Sequence, residues 1–210
     1  MLDTPTKYCE QLLHMSIEPI NAVTNITFIL FALLAFNKLR KEPGILKFIF
    51  PSLLALIGVG SAWWHMGHTI GGDIADTLSI LLFASTASMI LLYKLFETKT
   101  KVALAFVPLL ILTLAVEQLP HLNGSLSYVV LLGGIIAFGF LFVKKFPDSK
   151  ILTIASVSTF VLAILFRSLD MELCSQIRIG THFLWHVLVA LLGYQLILLA
   201  TNKYPNKPKI

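Results

Sequence analysis

Three histidines carry the chemistry this chain could do: His65, His182 and His186. His182 and His186 are four residues apart. On a helix that spacing sets both rings on one face, about 6 Å apart along the axis, where two imidazoles can chelate one metal ion. His65 would supply a third nitrogen. Three protein ligands with an open fourth position are the pattern of a catalytic rather than a structural zinc site, and such a site lowers the pKa of a bound water to about 7. Ser61 lies one turn before His65, and Asp76 falls in the first turn of the next apolar stretch, so a hydroxyl and a carboxyl would share the level of the imidazoles. Each has a plainer reading. A neutral histidine can simply hydrogen-bond between helices, and a first-turn carboxylate is favoured by the helix dipole by about 0.3–1 kcal/mol.

The elements that must position these groups follow from composition. The chain has 210 residues, 57% of them hydrophobic and 13% charged, with a mean hydropathy of +0.84. An ordinary soluble domain has roughly 45–50% apolar and about 25% charged residues, so a soluble globule is excluded. The apolar residues gather into seven stretches of about 20 residues each, the length of helix that crosses a hydrocarbon core of about 30 Å. They run at about Asn21–Leu39, Lys47–Met66, Ile74–Phe96, Lys101–Leu119, Ser125–Val143, Lys150–Leu169 and Ile179–Thr201. Turn signals separate them: Glu42-Pro43-Gly44, Gly71-Gly72-Asp73, Pro120 through Gly124, and Pro147-Asp148-Ser149. The expected fold is therefore an all-α membrane protein, a seven-helix transmembrane bundle over residues 21–201. An extracytoplasmic segment, 1–20, precedes it and a short tail, 202–210, follows.

Charge supplies the orientation, because Lys and Arg near span ends stay on the cytoplasmic side. Lys38, Arg40, Lys41, Lys47, Lys94, Lys99, Lys101, Lys144, Lys145, Lys150, Lys203, Lys207 and Lys209 flank one set of connections, and only Lys7, Arg167 and Arg178 fall on the other. The amino terminus is expected outside and the carboxyl terminus inside. A net charge of +5 does not point to nucleic acid here, since the basic residues are dispersed between apolar runs rather than gathered on one solvated surface. No Lys/Arg-led apolar stretch ends at a small-residue cleavage site, so no removable signal peptide is expected. Residues 1–20, with Asp3, Lys7, Glu10, His14 and Glu18, are too polar to insert and suit a short amphipathic helix at the outer surface.

With that direction of travel, the second span carries His65 to its outer end, and the third and seventh begin there with Asp76 and with His182 and His186. Ionisable groups inside spans cost about 2.5–3.5 kcal/mol each on insertion scales and usually mark a functional site. Cys9 and Cys174 would both face the oxidising side, where a disulfide is plausible and two unrelated buried thiols are the alternative. Arg167 and Asp170, three apart, are expected to pair. His68 and Asp73 are expected in the loop between the second and third spans, where His68 could contact substrate or simply be solvated, and Glu117 and His121 at an interfacial helix end. Trp63, Trp64, Trp185 and Tyr194 suit an aromatic belt or the wall of the site.

Several of these pieces together resemble one family. Gly60-Ser61-Ala62-Trp63-Trp64-His65-Met66 with the later Asp76 is similar to the Gly-Ser-x-x-x-His-Met motif and downstream Asp of alkaline ceramidases. Thr181-His182-Phe183-Leu184-Trp185-His186 resembles their His-x-x-x-His element. Tyr8-Cys9-Glu10, Glu18 and Asn21 through Asn25 resemble their amino-terminal segment, and Phe166 through Cys174 the stretch before their last span. The resemblance implies a zinc-dependent intramembrane amide hydrolase, of the wider superfamily that includes adiponectin-type receptors. It implies zinc on His65, His182 and His186, catalytic roles for Ser61 and Asp76, and a Cys9–Cys174 disulfide. The family's calcium site would retain Glu10 and Glu18, with Lys7 standing where its members carry an acidic residue; calcium takes six to eight oxygens.

The expected activity is cleavage of the N-acyl bond of ceramide-like lipids, with the lipid substrate drawn from the surrounding membrane, which would be the cytoplasmic membrane in a bacterium. Two other classes compete. A receptor-like or structural relative would hold stoichiometric zinc without turnover. A transporter would use the histidines and Asp76 as a proton relay, but the chain lacks paired discontinuous spans.

Overall fold

The computed structural model describes residues 8–14, 17–117, 119 and 122–204. Asp3, Lys7, Pro120, His121, Lys207 and Lys209, named above, lie outside them. All regular structure among the described residues is helical. Two short helices, α1 (Cys9–His14) and α2 (Pro19–Thr24), precede α3 (Ile26–Leu39), α4 (Leu46–Gly67), α5 (Ile70–Phe96), α6 (Lys99–Val116), α7 (Leu126–Lys145), α8 (Lys150–Ser168) and α9 (His182–Thr201). Seven helical segments are long and apolar enough to cross a membrane, with α2 and α3 together making the first, Pro19–Leu39. The chain thus has the architecture of a multi-pass membrane protein.

The elements pack as an up-and-down bundle in which α9 is central, touching α2, α3, α4, α5 and α8. Half of the α9 span is buried by protein, against 6% for α6, whose Leu104 and Ile111 point outward as a lipid-facing helix requires. The core between α3, α4, α5 and α9 is aliphatic and aromatic, with Phe28, Phe50, Leu54, Phe83 and Ile197 packed together. Small residues let the backbones approach closely. A Cβ on Gly60 would come within 2.6 Å of the Ala75 carbonyl oxygen and 2.9 Å of the Asp76 nitrogen, so the α4–α5 contact depends on glycine there. That contact brings Ser61 to Asp76.

Helix ends differ from the sequence expectation where side chains intervene. Gly71-Gly72-Asp73 does not form a turn: the Thr69 hydroxyl accepts the Gly72 N–H and starts α5 at Ile70. Asp73, not Asp76, therefore holds the first-turn position, and Asp76 sits in the second turn. The basic ends of the helices collect at the opposite end of the bundle from the histidines. There Lys94 donates to the Leu199 and Asn202 carbonyls, and Lys145 to the Lys94 and Leu95 carbonyls and to Glu97.

Candidate metal centre

The last turn of α4 carries His65 and the first two turns of α9 carry His182 and His186, all three almost fully buried. Ring centroids are 4.7 Å apart for His182 and His186, 4.8 Å for His65 and His186, and 5.2 Å for His65 and His182. One ring nitrogen from each lies within 4.8 Å of the others, so the three could hold a metal ion.

The neighbours decide which nitrogens are free. His65 Nδ1 is 2.8 Å from Glu18 Oε2. A carboxylate only accepts, so Nδ1 carries the proton and the lone pair lies on Nε2. His186 Nδ1 is 3.0 Å from the Thr24 hydroxyl, which itself is 2.9 Å from the Ile20 carbonyl. With its proton given to that carbonyl, the hydroxyl accepts from His186, and again Nε2 is left for a ligand. His182 Nδ1 is buried without a hydrogen-bond partner among the described residues. Holding the far nitrogen of an imidazole with a carboxylate or hydroxyl is how proteins orient metal-binding histidines. The residues present therefore fit a divalent metal such as zinc.

Glu18 is the hub of this arrangement. It is completely buried, accepts from Asn21 Nδ2 at 2.7 Å, and lies 2.8 Å from His68 Nε2. Its own N–H donates to the His65 carbonyl. Burial pushes its carboxyl up, but the imidazoles of His65 and His68 and the Asn21 amide that face it outweigh burial and bring it down to about 2. It is an anion at any ordinary pH. Glu10, also fully buried, accepts the Ile20 and Asn21 N–H groups, one on each oxygen, and so caps the start of α2. The two carboxylates expected as calcium ligands thus turn their oxygens to N–H groups and imidazoles.

Tyr8 closes the site from the amino-terminal side. Its ring stacks on His182 with centroids 3.8 Å apart, and its hydroxyl accepts from Arg167 at 3.0 Å. Burial raises the phenol above its ordinary value, with Arg167 working against that rise, so Tyr8 stays neutral. A Cys9–Cys174 disulfide ties this segment to the loop before α9. Asp170, fully buried, accepts the N–H groups of Cys9, Thr181 and His182, which fixes α1 and the start of α9 at once. Gly180 turns the chain into α9 with φ +68°, and a side chain there would collide with Asp170.

Ser61 is buried one turn below His65, and Asp76 lies beside it. Asp76 Oδ1 is buried without a hydrogen-bond partner among the described residues. Below this level opens a cavity of about 150 Å³ between helices α4 through α9, lined by Leu54, Phe83, Tyr128, Phe142, Trp185 and Leu196 among others. It is almost wholly apolar.

Two expectations are corrected. Arg167 and Asp170 do not pair, because α8 ends between them and each turns to a different partner. His68 is not solvated; it caps α4 in the left-handed region with φ 47° and is held against Glu18 and edge-on to Trp64. Thr24 and the roles of Tyr8 and Asp170 in the site were not visible in the sequence. Tyr8 and the 21–25 segment lay within recognised motifs, which was the available signal, but their partners are 150 or more residues away.

A family model described as Ceramidase matches residues 3–204. No curated protein matches the chain closely enough to count as a relative.

Proposed function

The chain belongs to the ceramidase family, and from that premise we propose that it is a zinc-dependent intramembrane amidase that cleaves the N-acyl bond of ceramide-like lipids to a long-chain base and a fatty acid. Family membership implies a hydrolase of amide bonds on a lipid substrate. The observation that supports a metal-dependent form is the set of three buried imidazoles with ring nitrogens within 4.8 Å, two of them with the far nitrogen already held by Glu18 and Thr24.

A zinc ion on those nitrogens would polarise the scissile carbonyl and make water a competent nucleophile near neutral pH. The protein's own groups do the rest. The Ser61 hydroxyl donates to the oxygen that gains charge as the carbonyl carbon becomes tetrahedral. Asp76 takes a proton from the attacking water and returns it to the amide nitrogen, which departs as the amine while the acyl group leaves as the acid. The apolar cavity holds a hydrocarbon chain with the amide at its mouth. In this reading the site lies toward the non-cytoplasmic face, with the amino terminus outside, an arrangement in keeping with the disulfide beside it and the lysines at the far end.

The test is fatty acid release from N-acyl lipids by purified protein, with metal content measured on the same samples. The wild type should release fatty acid and hold about one zinc per chain, and His65→Ala and His182→Ala should lose both. Zinc without turnover would favour the receptor-like or structural reading. Turnover by the histidine variants would overturn the site.

A further inference from the structure

Arg167 has no carboxylate within ion-pair distance among the described residues, and it lies against two aromatic rings that line the chain cavity. Its guanidinium carbon lies 5.3 Å from the ring centroids of Tyr128 and Trp185 and 5.4 Å from that of Tyr8. Three π faces thus surround it. Among the described residues the guanidinium makes one hydrogen bond, to the Tyr8 hydroxyl, and Nε is buried without a partner. No carboxylate of the described residues lies within ion-pair distance of it, although Asp76 acts on it at longer range. Asp170, the acid nearest in sequence, is committed to three backbone N–H groups.

Two of the three caging rings, Tyr128 and Trp185, also line the apolar cavity. Trp185 stands between His182 and His186 on α9, and Tyr8 stacks on His182. A hydrocarbon chain in the cavity therefore touches two of the rings that contact the guanidinium, and the third, Tyr8, stacks on a candidate metal ligand. A permanently charged fork with free N–H groups at the edge of an apolar chamber is complementary to an acidic oxygen on an amphiphile.

We propose that Arg167, held by Tyr8, Tyr128 and Trp185, is a head-group-binding residue that selects N-acyl lipids carrying an anionic oxygen, as phosphate, sulfonate or carboxylate, within a few bonds of the amide. The proposal rests on the amidase reading and narrows its substrate class. Arg167 binds and orients; it takes no part in proton transfer. A neutral hydroxyl in the same place would accept one ordinary hydrogen bond, whereas an anion also completes the charge, and charge-assisted bonds are about twice as strong.

The test uses matched pairs with one acyl chain: ceramide against ceramide 1-phosphate, and N-hexadecanoylethanolamine against N-hexadecanoylglycine. Both kcat/KM for fatty acid release and equilibrium binding to the full-length protein in nanodiscs are measured. The wild type should favour the anionic member of at least one pair by about tenfold or more. Arg167→Gln should lose about tenfold on that member and less than about threefold on its neutral mate, with Arg167→Lys recovering part of the preference. Preference in one pair only identifies the anion. A wild type that treats both members of both pairs alike overturns the proposal without need of any variant, as does an equal loss on anionic and neutral lipids in Arg167→Gln. Selective binding of the anionic member without release of fatty acid would instead sink the amidase reading and leave the head-group site standing.

Discussion

Glu18→Gln isolates the part played by the carboxylate behind His65. In the wild type the fully buried Glu18 accepts from His65 Nδ1 at 2.8 Å and Asn21 Nδ2 at 2.7 Å and faces His68 Nε2 at 2.8 Å. Glutamine keeps the volume and one acceptor oxygen, but its amide group turns a donor toward one of these three donors. The lost charge-assisted bond is worth about 1.5–3 kcal/mol, and a buried donor left unpaired costs about 1–3 kcal/mol. These overlap, so the destabilisation expected is about 2–4 kcal/mol. At the metal, losing the partner that orients a ligating histidine lowers affinity by about 10–100-fold, which is about 1.4–2.7 kcal/mol. Chelator competition gives the affinity, and thermal unfolding at fixed free zinc gives the stability. Glu10→Gln is the control, because Glu10 caps α2 through backbone N–H groups and bonds no imidazole among the described residues; it should lower stability and spare zinc affinity. Unchanged zinc affinity in Glu18→Gln, or an equal fall in Glu10→Gln, would refute the reasoning.

Three further outcomes follow from the geometry. Asp76→Asn removes the proton carrier while keeping shape, so kcat for amide hydrolysis should fall by about 10²–10⁴-fold with zinc content unchanged. Gly60→Ala forces a Cβ against the Ala75 carbonyl and should cost about 1–3 kcal/mol in thermal stability, with a loss of activity as Ser61 and Asp76 are pushed apart. Cys174→Ser opens a bridge between residues 165 apart and should destabilise the protein by about 2–5 kcal/mol, read from thermal unfolding against the wild type with and without reductant.

What could be read from residues alone was what local pattern determines. Seven apolar runs give seven spans, and the i, i+4 spacing of His182 and His186 places two rings on one face, because both signals are periodic along the chain. Helix starts were less legible where a side chain overrode the turn residues: Gly71-Gly72 reads as a loop, yet Thr69 caps it, and Gly72 is needed because a Cβ there would press on the Trp64 backbone. The groups that orient the histidines were hidden for another reason. Glu10 and Glu18 read as cation ligands from their charges, and the groups that face them, a helix start and two imidazoles, become visible only once the amino-terminal segment is folded over α4. Arg167 and Asp170 likewise suggest a helical pair at i, i+3, until α8 ends between them and sends one to Tyr8 and the other to α9.

The claim that one metal ion sits among His65, His182 and His186 is tested most directly by X-ray absorption at the zinc edge on the purified full-length protein. The account predicts a four- or five-coordinate site with three imidazole nitrogens at about 2.0–2.1 Å, completed by light oxygen donors. Sulfur in the shell, fewer than three imidazoles, or an unaltered spectrum in His186→Ala would contradict it.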